Sequence, residues 1–180
     1  MNPAPNLVLV GPMGSGKSAV GRRLAGRLGL THVDADHFIV ERVGASIPEI
    51  FARAGERGFR EYERAALEEL LAGEGLLVSA GGGTVLREDN RRQMRERSFV
   101  VYLQVAPDVQ LQRIGQDPNR PLLQTTDPCR TLTELAAVRE PLYREVADLC
   151  FDTNHLSTAD VCLRLGTRLN RHWQCNRTTS

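Results

Sequence analysis

An α/β fold, a parallel sheet covered by helices on both faces, is what this chain predicts, and three observations carry it. Short continuous apolar runs, LVLV at 7–10, LLV at 76–78 and FVVYL at 99–103, read as strands buried on both sides. Stretches with apolar residues at helical spacing alternate with them. The residues that follow the first three strands, 11–18, 34–36 and 81–83, carry glycine and charge rather than packing value. In a parallel sheet that places one ligand site outside the carboxyl ends of the strands.

The elements read in order. Val20, Leu24, Ala25 and Leu28 mark a helix over 18–28, with Gly29 at its C-terminus. A short strand follows near His32 and Val33. Ser46 is a helix N-cap with Pro48 inside the first turn. Over 58–72, Phe59, Tyr62, Ala66 and Leu70 predict one buried helical face. The third strand is stopped by Gly81, Gly82 and Gly83. Residues 87–97 read as a polar surface helix, and 107–114 as a helix after the fourth strand. A loop rich in Pro, Asp and Thr spans 116–128. A helix over 132–138 is interrupted or restarted by Pro141. Leu149, Cys150 and Phe151 read as a fifth strand and 158–169 as a last helix, before a tail expected to fray from 171 to 180.

Composition narrows the function. One domain is expected from 180 residues, with 41% hydrophobic and 25% charged residues and a mean hydropathy of −0.30. A net charge of +1 gives no global basic excess for nucleic acid or a membrane surface. No apolar run approaches the roughly 20 residues of a membrane span, and the first residues do not read as a signal peptide. Four cysteines without a CxxC spacing predict reduced thiols in a cytoplasmic protein, and the scattered histidines offer no zinc spacing. Among 23 basic residues the only lysine is Lys17. Genome composition accounts for a bias toward arginine but not for one retained lysine, whose compact charge differs from a planar guanidinium.

Lys17 lies in Gly11-Pro-Met-Gly-Ser-Gly-Lys-Ser18, a GxxxxGK[ST] motif between a predicted strand and a predicted helix. Backbone N–H groups of such a loop cradle phosphate oxygens, and the helix N-terminus adds unpaired donors and a positive dipole end. Lys17 would span the β- and γ-phosphates and Ser18 would offer its hydroxyl to Mg²⁺. The alternative is a plain glycine-rich turn. A GTPase base-reading motif needs a second lysine, which the chain lacks. A long ATPase would end the third strand in acids, where this chain has Ser79-Ala80-Gly81. A small phosphotransferase remains.

Acceptor residues follow. In an extended stretch the carboxylates of Asp34 and Asp36 face the same way, one toward Mg²⁺ through water and the other toward an acceptor hydroxyl; the alternative is an Asx turn capping a helix. Arg60 and Glu63, three apart on a helix, can pair and aim the guanidinium at a planar carboxylate, or lie on a solvated face. Gly81, Gly82 and Gly83 signal a close approach to the backbone or a positive φ. Arg120, in the long polar loop, is placed to reach a transferring phosphoryl group if that loop is a lid.

Taken together, GPMGSGKSAVGRRLA at 11–25, DAD at 34–36, GERGFREYE at 55–63, AGGG at 80–83, RPLL at 120–123 and REPLY at 139–143 resemble the shikimate kinase family over about residues 6–169. The resemblance implies a P-loop fold of the nucleoside-monophosphate-kinase type with sheet order 2-3-1-4-5. It implies one domain over 1–170, with a shikimate-binding region at about 35–63 and a lid at about 116–128. It implies ATP-dependent phosphorylation of the shikimate 3-hydroxyl, on the route to chorismate and aromatic amino acids; a monomer is expected. Gly14, Ser15, Gly16, Lys17, Ser18 and Ala19 would hold ATP, with Arg113 on adenine and Arg120 as lid arginine. Mg²⁺ would sit on Ser18 and, through water, Asp34. Lys17, Asp36 and Arg120 would be catalytic, with Asp36 the base. Arg60 and Arg139 would grip the carboxylate, Glu63 would orient Arg60, the backbone of Gly81, Gly82 and Gly83 would line the pocket, and Phe51 and Phe59 would wall it. Two departures stand out: Ala80 precedes the glycines, where Thr is common, and His155-Leu-Ser-Thr follows Asn154, without a proline that some relatives have. The rivals are a gluconate kinase, a nucleotide kinase and a nucleotide-binding homologue without catalysis.

Overall fold

The structure is a computed structural model and describes residues 4–115 and 127–173. Five parallel strands, β1 (Asn6–Val10), β2 (Thr31–Asp34), β3 (Leu76–Ser79), β4 (Ser98–Gln104) and β5 (Leu149–Asp152), form one sheet in the order β2-β3-β1-β4-β5. The expected order 2-3-1-4-5 is the one observed. Helices α1 (Lys17–Leu28), α2 (Ala35–Val43), α3 (Ile47–Ala72), α4 (Glu88–Arg97), α5 (Pro107–Ile114), α6 (Pro128–Val146) and α7 (Thr158–His172) accompany the strands, and a 3-10 turn, Thr84–Leu86, follows β3.

The two-residue period of the central strands sorts the core into two layers. Leu7 and Leu9 of β1, with Phe99, Val101 and Leu103 of β4, pack against Val20 and Leu24 of α1 and Leu165 and Leu169 of α7. Val8, Val10, Val100 and Tyr102 face the other way, onto Leu67 and Leu71 of α3, Met94 of α4 and Tyr143 of α6. A third cluster joins α2 to α3 through Ile39, Ile50, Phe59 and Ala66. Each fully buried side chain of this size stabilises the fold by about 1.5–3 kcal/mol, so the strand ends that carry the site are held by a rigid base.

Four local expectations need correction. On α3 the buried face runs through Phe59, Glu63, Ala66, Leu67 and Leu70, while Tyr62 is 41% exposed. The helical phase is shifted because Glu63 is buried as one half of an ion pair. Helix α4 is not wholly a surface helix: Asn90 and Met94 are fully buried. Pro141 neither interrupts nor restarts α6, which runs unbroken from Pro128 to Val146. Pro141 and Ala137, whose carbonyl loses its helical donor, both lie on the exposed face, where water can serve that carbonyl. Helix α7 continues through His172, and Trp173 is buried, its ring tilted against Phe99 and its Nε1 donating to Ala4 O at 3.0 Å. Residues 174–180, the rest of the expected tail, and most of the expected lid lie outside the described residues. Among the described residues Cys129, Cys150 and Cys162 are free thiols, and no helix is long and apolar enough to cross a membrane.

Candidate active site

The loop between β1 and α1 is glycine-rich and turns on itself, with Ser15 N–H donating to Pro12 O at 3.3 Å. Gly16 caps α1 in the left-handed region with no side-chain hydrogen bond to the first turn. Lys17 folds back over the loop, its Nζ donating to Gly11 O at 2.8 Å and Pro12 O at 2.9 Å. Ser18 Oγ donates to Asp34 Oδ2 at 2.5 Å.

Asp34 takes the capping alternative and also reaches the first turn of α1. It ends β2 and caps α2, Oδ1 accepting from the backbone N–H of Asp36 at 3.1 Å and of His37 at 3.3 Å. Its other oxygen meets Ser18. Asp34 and Asp36 therefore do not share one extended stretch, because Asp36 is already in the first turn of α2. The two nevertheless line the same cleft, of about 460 Å³, with Met13, Gly14, Gly16, Lys17, Ser18, Ala19, Ser79, Gly81, Gly82 and Arg113.

The donor set there suits Mg²⁺. A hydroxyl and a carboxylate oxygen are hard ligands, and no cluster of three or more His, Cys, Asp or Glu exists among the described residues to form an all-protein cage. Mg²⁺ characteristically takes one or two such groups and completes its shell with phosphate and water.

Glycines at the end of β3 bring the acceptor residues together by close approach, and none of Gly81, Gly82 and Gly83 has a positive φ. A Cβ on Gly81 would stand 2.6 Å from Glu63 Oε1 and 2.9 Å from Asp36 Oδ1. One on Gly83 would collide with the Arg60 guanidinium, and one on Gly82 would sit 3.6 Å from an Arg139 terminal nitrogen. Arg60 pairs with Glu63 and, at 2.9 Å, with Glu56, while its buried Nε has no protein partner among the described residues. The kink at Gly55, φ +66°, separates the two helical halves of α3 and begins the half that carries these pairs. Burial alone would lower the Arg60 pKa, but Glu63 and Glu56 outweigh it and raise it. Asp36 is pushed up to about 6, first by burial and then by the negative charges of Glu63 and Asp34.

Phe59 is buried and Phe51 half-buried, with ring centroids 4.7 Å apart, and the Arg60 guanidinium lies 5.5 Å from the Phe59 ring centre. Arg139 is 7% exposed and also borders a cavity of about 230 Å³ under α6. Arg113 donates to Gly14 O at 3.2 Å and to Thr153 Oγ1 at 3.1 Å, tying the chain after β5 to the phosphate loop. Arg120 lies outside the described residues.

Sequence reasoning missed the supports. Tyr143 OH donates to Gly82 O at 2.5 Å, and burial raises its pKa, keeping it a neutral donor. Its position four residues after Arg139 puts both on one helical face, a readable signal. Thr84 Oγ1 donates to Glu63 Oε1 at 3.0 Å, and Asn90 Nδ2 holds Thr84 O at 3.0 Å. Nothing in their local sequence distinguishes these two from surface residues.

Comparison with known proteins gives the family. A family model described as shikimate kinase matches residues 13–170. The shikimate kinase of Xanthomonas campestris pv. campestris is 54% identical over 178 residues, 99% of either chain. The solved shikimate kinase from Acinetobacter baumannii in complex with shikimate superposes with a TM-score of 0.90 at 43% identity, covering 93% of this chain and 94% of that one. A gluconokinase from Sinorhizobium meliloti has a TM-score of 0.53 at 18% identity, which shows the shared fold alone. Motifs and sheet order thus agree with a match that spans nearly the whole sequence: the chain belongs to the shikimate kinase family.

Proposed function

We propose that the enzyme transfers the γ-phosphoryl group of ATP to the 3-hydroxyl of shikimate, with Mg²⁺ as cofactor, and acts as a cytoplasmic monomer. The observation that carries the reaction is one cleft lined both by the N-terminal turn of α1 after the glycine-rich loop and by Asp36 with Gly81 and Gly82. A phosphoryl donor on one side and a proton acceptor on the other is the arrangement that in-line transfer to an alcohol needs. The loop N–H groups and Lys17 bind and orient the phosphates. Ser18 and Asp34 would hold Mg²⁺, which neutralises phosphate charge when bound. Asp36, with its pKa at about 6, is ionised at neutral pH yet more basic than an ordinary carboxylate, and takes the hydroxyl proton.

Arg60 and Arg139 meet the same glycine turn, and two guanidinium groups there fit the carboxylate of a rigid ring acid. Arg113, already bound to the loop, borders the nucleotide end. A coupled ADP-release assay tests the reading: turnover with shikimate, and background rates with gluconate or no acceptor. Equal rates with gluconate would overturn the acceptor assignment.

Arg60→Lys is expected to be a severe change, because a point charge cannot reproduce bidentate pairing or hold both Glu63 and Glu56. Steady-state kinetics should show kcat/KM for shikimate down by about 2–3 kcal/mol, the scale of a charged hydrogen bond, with KM for ATP nearly unchanged. An unaltered kcat/KM would place Arg60 on a merely structural face.

A further inference from the structure

Two hydroxyl bridges fasten the first turn of α1 to the sheet. One is Ser18 to Asp34, already part of the phosphate site. The other belongs to no motif. Ser79, the last residue of β3 and 2% exposed, donates its hydroxyl to Lys17 O at 3.1 Å, and the same oxygen lies 3.0 Å from His32 Nε2.

A serine hydroxyl has one proton and two lone pairs. With the proton given to Lys17 O, the oxygen can only accept from the imidazole, so Nε2 is the protonated nitrogen and the chain runs His32 Nε2–H to Ser79 Oγ–H to Lys17 O. One serine lone pair is left, and Ser79 lines the cleft beside Lys17, Ser18 and Asp34. Helix α1 presses on this pair: a Cβ on Gly21 would stand 2.7 Å from Ser79 Oγ and 2.8 Å from His32 Nε2. The hydroxyl is held between two fixed partners, and only a glycine at 21 leaves room for them.

We propose that His32 is a positioning residue for the nucleotide half of the site. Its Nε2–H fixes the rotor of Ser79. Ser79 in turn holds the main chain of Lys17, from which the phosphate-binding lysine and the adjoining Ser18 project. Without His32 the hydroxyl gains a second set of orientations, and the Lys17 carbonyl loses a steady donor. No comparable link runs from His32 to Arg60, Glu63 or Arg139 among the described hydrogen bonds, so the acceptor half should not respond.

The proposal rests on the loop being the nucleotide site, and calorimetric titration of the wild-type enzyme with MgADP tests that first: no binding there would sink the reading of the loop rather than the role of His32. His32→Phe keeps a ring and removes the donor. His32→Gln restores an amide N–H near the Nε2 position. His32→Phe should weaken MgADP binding about five- to tenfold, the scale of one neutral hydrogen bond, and raise KM for MgATP in step. Shikimate affinity and its KM should stay within about twofold of wild type, a margin well below one hydrogen bond. His32→Gln should recover most of the loss. If His32 works through Ser79, adding His32→Phe to Ser79→Ala should cost little more than Ser79→Ala alone.

Equal losses of nucleotide and shikimate affinity would make His32 an ordinary packing residue, and additive losses in the double variant would remove Ser79 from its path. Nitrogen-15 NMR of the imidazole in the wild-type enzyme needs no variant to fold. It should show the proton on Nε2, and a proton on Nδ1 alone would overturn the chain.

Discussion

Lys17→Met is expected to lower kcat by about 10³-fold or more, the scale of removing one preorganised charge stabiliser, while the thermal transition moves by only a few degrees. Lys17 lies on the first turn of α1, half-buried, and its ammonium donates to Gly11 O and Pro12 O of the loop. Methionine keeps the length and flexibility of the stem and loses the charge. Phosphoryl transfer leaves little covalent work to the protein, so positioning and charge stabilisation account for nearly all of the catalysis. Removing the cation that reaches over the loop removes both. Because Lys17 is the only lysine in the chain, an amine-selective reagent has one side-chain target. Modification should inactivate the wild-type enzyme, and MgADP should slow it. A Lys17→Met enzyme that kept more than about a tenth of the wild-type kcat, a deficit of only ~1.4 kcal/mol, would show that the loop does not hold the transferring phosphate.

The same loop explains why half of the site is legible in sequence. The chemistry proposed for it uses backbone N–H groups, one helix terminus and Lys17, so glycine spacing and a lysine between a strand and a helix are a direct signal. The sheet was legible for a related reason: residues 7–10 and 99–103 are apolar throughout because parallel strands here are covered on both faces. Glu63 shows the limit. On pattern alone a glutamate beside Tyr62 belongs outside, and Tyr62 belongs inside. The structure reverses them because Arg60 and Thr84 satisfy the buried carboxylate, and Thr84 becomes a neighbour only after the chain turns at the glycines. Asn90 and Ser79 are hidden in the same way, since their partners are distant in sequence and their types are common on surfaces. The glycine triplet announced close approach but not what approaches, and only the folded chain puts Glu63 and Asp36 against Gly81 and Arg60 against Gly83. Tertiary ion pairs and hydrogen bonds override hydrophobic period wherever function requires a buried charge.

Asp36→Asn is expected to separate activity from stability more sharply than any other single change. An asparagine keeps the shape and cannot accept the hydroxyl proton, so kcat should fall by about 10³-fold, within the range of general-base catalysis. The fold should gain. A carboxyl whose pKa rises on folding binds its proton more tightly in the native state, so ionising it costs stability. With a pKa of 3.8 unfolded and about 6 folded, that cost is absent well below pH 3.8, grows through the interval, and is complete above about 6. Two pKa units correspond to about 3 kcal/mol, held at neutral pH against burial and the charges of Glu63 and Asp34. The amide carries no charge and removes that repulsion. At pH 8 the variant should melt about 5–10 °C above wild type, following the usual relation of stability to melting temperature for a domain of this size. At pH 4 the two should melt close together. The wild-type kcat/KM for shikimate should fall as pH drops through about 6, because protonated Asp36 is no base. Calorimetric melting at both pH values, with kinetics at pH 8, reads the whole argument. Lower stability of the variant at pH 8 would show that the ionised Asp36 is held by favourable contacts rather than against its neighbours. A kcat within about a hundredfold of wild type, below the usual worth of a lost general base, would leave the proton transfer to another group.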